Sequence, residues 1–79
     1  MKVKIQLFGA IGLKLPEYAS QDGVQIELPD ESTARDLLEF LKIPEAWGPA
    51  LAMNSRLLKQ EDPIVDGAEI RIFQAVHGG

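Results

Sequence analysis

The chain contains no cysteine and only one histidine, one tryptophan and one tyrosine. Without cysteine there is no disulfide, no thiolate nucleophile or persulfide, and no sulfur ligand for zinc. The lone histidine, His77, stands two residues from the C-terminus. A floppy end cannot hold its ring as a base against Ser20, Ser32 or Ser55. No P-loop, dinucleotide fingerprint or metal-ligand cluster is present. No apolar run approaches the roughly 18 residues of a membrane span, and the N-terminus lacks a signal-peptide core. The expectation is a cytoplasmic protein with no catalytic residues and no bound metal.

Positive charge is also scarce. Eight Lys and Arg stand against twelve Asp and Glu, a formal charge of -4 with a pI near 4.8. The basic residues are scattered at positions 2, 4, 14, 35, 42, 56, 59 and 71. Nucleic-acid binding needs a basic stripe that displaces phosphate counterions, so that class is excluded. An acidic domain more readily meets a basic protein. The acids Asp30, Glu31, Asp36 and Glu39 read as a solvated helix face rather than as an acid–base pair.

What is present is aliphatic. A chain of 79 residues is one domain near the lower limit for a single core, and 46% hydrophobic residues suffice to build it without a staple. "MKVKIQLF" alternates, with Val3, Ile5 and Leu7 on one face, and predicts a half-buried strand. Gly9 and Gly12 loosen the chain, and a polar stretch runs from Pro16 to Gly23. "VQIELP" alternates again, and Pro29 stops it. Thr33 and Asp36 have the spacing of a capping box, and Ala34, Leu37, Leu38 and Leu41 keep i, i+3, i+4, i+7 spacing, which predicts a helix ended by Pro44. "PEAWGP" reads as a loop or short turn of helix with Trp47 over the end of the core. "ALAM", a turn at Asn54-Ser55, a short strand at Leu57-Leu58, a turn at Asp66-Gly67 and a last strand "EIRIF" complete the chain. The order is β-β-α-β-β-β. This predicts an α+β domain over residues 1–74, a mixed sheet of four to five strands around one main helix, followed by a flexible tail over 75–79.

Two features exceed the needs of a core. The first is the ending "FQAVHGG". Five extended residues reach about 17 Å, and two glycines can enter a slot too narrow for a Cβ. The carboxylate they carry is a poor acylating group unless another enzyme activates it. The second is a pair of phenylalanines out of phase. Phe8 falls with Lys2, Lys4 and Gln6, and Phe73 falls with Glu69 and Arg71, away from the core. If the first and last strands are neighbours, the two form an apolar patch beside the root of the tail. The alternative is that a loop, residues 10–20, folds over them and both are core.

"VKIQLF", "STARDLLEFL", "LAMNSRLL" and "DGAEIRIFQAVHGG", in that order and spacing, resemble the MoaD/ThiS family of ubiquitin-like sulfur carriers. The resemblance implies a β-grasp fold and a carrier that is a substrate rather than an enzyme. In that scheme an E1-like adenylyltransferase of the MoeB/ThiF type, using ATP and Mg²⁺, adenylylates the carboxylate of Gly79. A sulfur donor then converts it to a thiocarboxylate. The sulfur goes to the large subunit of molybdopterin synthase or to thiazole synthase. Val76, His77 and Gly78 would enter the partner's active site, and Phe8, Phe73, Arg71 and Lys4 would form the docking surface. The long segment 9–23 looks like the molybdopterin branch, whereas "FQAVHGG" resembles thiamine-type endings, and Gln74 and Ala75 stand where molybdopterin carriers often have Pro-Pro. The body of the chain tips the reading slightly to molybdopterin or its tungsten equivalent. A ubiquitin-like modifier conjugated to lysines would use the same tail.

Overall fold

The computed structural model describes residues 1–74. The expectations for the tail over 75–79, including Val76, His77, Gly78 and Gly79, lie outside the described residues.

Strand β1 (Lys2–Leu7) buries Val3 and Ile5 and exposes Lys2 and Lys4, as its alternation requires. At Gly9 the backbone turns to φ 65°, a conformation that favours glycine. A short helix, α1 (Ala10–Lys14), and a 3-10 turn (Pro16–Tyr18) then follow, where the glycines and polar residues had indicated only irregular chain. Ile11 and Leu15, four residues apart, carry this segment into the core. A Cβ at Gly12 would stand 3.4 Å from the Leu7 carbonyl oxygen, an ordinary van der Waals contact, so the packing itself does not require glycine there.

Strand β2 (Val24–Glu27) pairs antiparallel with β1, Val3 opposite Ile26 and Ile5 opposite Val24. Helix α2 (Ala34–Leu41) has the reciprocal cap that the sequence predicts: the Asp36 amide donates to Thr33 Oγ1 at 3.3 Å and the Thr33 amide to Asp36 Oδ2 at 2.9 Å. Two further donors of its first turn find carbonyls from far along the chain. Ala34 N donates to Asp62 O at 3.0 Å and Arg35 N to Gln60 O at 2.9 Å. Ala34, Leu37, Leu38 and Leu41 are all buried. The helix stops at Lys42, left-handed at φ 60°, two residues ahead of Pro44.

After a 3-10 turn (Glu45–Trp47) come β3 (Pro49–Met53), β4 (Arg56–Leu58) and β5 (Glu69–Gln74). The sheet order is β2-β1-β5-β3-β4. The central pair β1 and β5 is parallel, and the other pairings are antiparallel. Val3, Ile5, Ile26, Leu51, Ile70 and Ile72 project from one face of this mixed sheet into a common core with α2, Ile11, Ile43 and Ile64. Trp47 is half-buried against that core, as expected, and Lys14 Nζ lies 4.4 Å from its ring centroid. No helix among the described residues is long and apolar enough to cross a membrane.

Candidate functional site

The side of the sheet that does not face α2 is built by strand alternation. The parallel register of β1 and β5 sets Lys4 beside Glu69 and Gln6 beside Arg71. It continues one residue beyond β1, because the Phe8 amide donates to the Ile72 carbonyl at 2.9 Å. Phe8 thereby comes alongside Phe73, and the antiparallel pairing of β5 with β3 sets Phe73 opposite Ala50. The next row is Gln6, Arg71, Ala52 and Leu57.

Neither phenylalanine is in the core. Phe8 is 44% exposed and Phe73 is half-buried. The 10–20 segment does fold onto the domain, but it buries its own Ile11 and Leu15 instead of covering the two rings. Residues Ala19, Ser20 and Gln21 form the far wall of a cleft of about 240 Å³ that Phe8 borders, and Gln6 Nε2 donates to the Gln21 carbonyl at 2.9 Å. Lys4 and Arg71 are both exposed. Among the described residues the ion pair found joins the Met1 ammonium to Asp30 at 3.3 Å, and it involves neither of them. Lys4, Phe8, Arg71 and Phe73 are thus brought together on one surface.

Sequence reasoning missed Leu57, which is 68% exposed on the same face. The signal was available, since adjacent residues in a strand point to opposite sides. With Leu58 packed against the core, Leu57 has to project outward. Ala50 and Ala52 join it, and their small side chains keep the middle of the face low. The same rows lead to the root of the tail: Gln74, the last residue of β5, pairs with Pro49 at the start of β3. The surface offers the apolar side chains of Phe8, Phe73 and Leu57 with Lys4 and Arg71 beside them, neither of which is ion-paired among the described residues. It holds no nucleophile–base pair, and among the described residues no three His, Cys, Asp or Glu side chains form a group that could hold a metal.

A five-stranded mixed sheet with a parallel central pair, wrapped on one main helix and followed by Gly-Gly, defines a ubiquitin-like β-grasp domain. The chain belongs to the ThiS family of ubiquitin-like sulfur carriers, whose family model matches residues 14–79. Among solved structures it is similar to a protein from Pyrococcus furiosus described as molybdopterin converting factor subunit 1. That match has 26% identity over 96% of this chain and 99% of the other, with a TM-score of 0.75. It is also similar to a chain in the complex of subunits 1 and 2 of the molybdopterin-converting factor from Helicobacter pylori. Here the identity is 25% over the full length of both chains, with a TM-score of 0.62. SAMP1 from Haloferax volcanii, 17% identical over the full length of both with a TM-score of 0.69, shares the fold. No curated protein sequence matches the chain.

Proposed function

We propose that this protein carries sulfur on the carboxylate of Gly79 and delivers it to the large subunit of a molybdopterin synthase. The observation that carries the proposal is the family match, which runs through the Gly-Gly pair to residue 79. The subunit 1 and 2 complex of the Helicobacter pylori protein supports the synthase partner. In the proposed cycle a carboxylate oxygen of Gly79 attacks the α-phosphorus of ATP on an E1-like adenylyltransferase with Mg²⁺. Pyrophosphate leaves and an acyl-adenylate forms. Hydrosulfide then attacks the carbonyl carbon, AMP leaves with the bonding pair and the S–H proton is lost to solvent, so the carbonyl ends as a thiocarboxylate. The carrier supplies no catalytic group: its sheet face docks and its terminal carbonyl reacts.

Incubation with the adenylyltransferase, ATP and a sulfur source is expected to give a product heavier by one oxygen-to-sulfur exchange. An unchanged mass, or the same change after deletion of Gly79, contradicts the reading. Thiazole synthesis is the second reading, supported by the thiamine-like "FQAVHGG". Transfer of sulfur to a thiazole synthase, and none to a molybdopterin synthase, would establish it instead. Conjugates on target lysines that vanish when Gly79 is deleted would add a modifier role.

A further inference from the structure

On the α2 side of the sheet a groove of about 490 Å³ runs between α2 and the segment joining β2 to α2. Its apolar lining is Leu28, Pro29 and Phe40, and its rim carries Asp30, Glu31, Asp36 and Glu39. Leu28 is 3% exposed and is therefore a fixed floor. Phe40 is different. The other apolar side chains of α2 are buried, yet Phe40 is 46% exposed at the groove's edge, where the fold makes little use of it. Among the described residues no lysine or arginine lines the groove, and neither Glu31 nor Glu39 has an ion-pair partner. Asp30 is paired with the Met1 ammonium at 3.3 Å. Asp36 is partly committed, since one of its oxygens accepts from the Thr33 amide. The rim's uncommitted carboxylates among the described residues are therefore Glu31 and Glu39.

A recess with an apolar floor and an anionic rim selects its occupant by charge and shape together. A divalent cation does not match it, because no three acidic side chains among the described residues converge closely enough to hold a metal. Free polyamines would leave the apolar lining unused. An extended peptide uses both parts: its cations meet the rim, while an apolar side chain displaces water from Pro29 and Phe40, the exposed apolar residues of the lining.

We propose that this groove is a docking site for a cationic segment of a partner protein, in which Lys or Arg stands beside an apolar or aromatic anchor that packs between Phe40 and Pro29. None of its lining residues belongs to the surface of Lys4, Phe8, Arg71 and Phe73. A partner held in the groove leaves the sheet face open to a second protein. The inference goes beyond sulfur carriage and does not depend on it.

The test is an NMR titration of the full chain, ¹⁵N-labelled, with a short capped peptide in which arginines alternate with leucine and tryptophan. Amide shifts are expected to concentrate in residues 28–40. Affinity should fall about tenfold in Phe40→Ala and by a similar factor in the Glu31→Gln/Glu39→Gln pair. The double variant keeps both side-chain lengths and leaves the Asp36 cap intact, so it reports on the groove even if Phe40→Ala folds poorly. A control peptide with glycine in place of leucine and tryptophan should bind roughly tenfold more weakly. Absence of binding at millimolar peptide overturns the proposal. So do shifts spread over all acidic surfaces or centred on the outer sheet face, equal binding of the glycine control, or the same shifts with calcium chloride alone. Because the readout is amide shifts, it is separate from the mass change that tests Gly79.

Discussion

Phe8 and Phe73 meet only because β1 and β5 are parallel neighbours. Each is placed outward by its own strand's alternation, but their adjacency comes from the register that sets Leu7 beside Ile72. Phe8 is exposed and Phe73 half-buried, and neither belongs to the core, so their removal should be felt at a partner. Phe8→Ala and Phe73→Ala are each expected to weaken binding to the adenylyltransferase or synthase by about 1 kcal/mol or more. Isothermal titration calorimetry measures that effect, and denaturant unfolding should show only a small accompanying loss of stability. A loss of several kcal/mol of folding free energy would instead mean that the rings act as core. Their outward phase was legible in the sequence. Whether the 10–20 segment covered them was not, because that depends on where Ile11 and Leu15 find room.

At the scale of elements, local chemistry wrote some of the structure in full. The Thr33–Asp36 box and the leucine stripe mark α2 locally, with the cap closed within three residues, while the Ala34 and Arg35 amides of its first turn are satisfied by the distant Asp62 and Gln60 carbonyls. Helix α1 shows the opposite case. With five residues and two flanking or internal glycines it has no intrinsic stability. It forms because the core accepts Ile11 and Leu15, a decision made by residues far away in sequence. The β3–β4 turn lies between these extremes. Met53 pairs with Arg56, and the two residues between them, Asn54 and Ser55, have φ of 49° and 76°. Positive φ at both positions is the signature of a type I′ hairpin turn, which favours Asn followed by Gly. Asn54 tolerates this conformation and also accepts from the Glu69 amide through Oδ1 at 3.2 Å. Ser55 carries a Cβ where glycine would have none. Ser55→Gly is therefore expected to stabilise the domain by about 0.5–1 kcal/mol, the relief of strain exceeding the added chain entropy. Thermal or denaturant unfolding checks the sign, and a destabilised variant would contradict it.

For the whole molecule, the core and the proposed chemistry occupy different stretches of chain. Every buried hydrophobic residue among those described lies between Val3 and Ile72, upstream of the Gly-Gly pair. Deleting Gly78 and Gly79 should therefore move the thermal midpoint by less than about 2 °C while abolishing thiocarboxylation. A circular-dichroism melt alongside the mass assay distinguishes a lost site from a lost fold. The charge balance has a spatial counterpart as well, with the anionic groove on the α2 side and Lys4 and Arg71 on the other face of the sheet. The sequence by itself determined the strands, the main helix and its cap, and the outward phase of both phenylalanines, because periodicity and capping act over a few residues. It also excluded thiol chemistry, because the chain contains no cysteine. Only the tertiary structure decided that α1 forms, that Leu57 joins Phe8 and Phe73 on one face, and that Phe40 borders an acidic groove. The first two depend on strand order and on segments packed together from distant parts of the chain, and the groove depends on how residues 28–32 fold back beside α2, which no periodicity encodes.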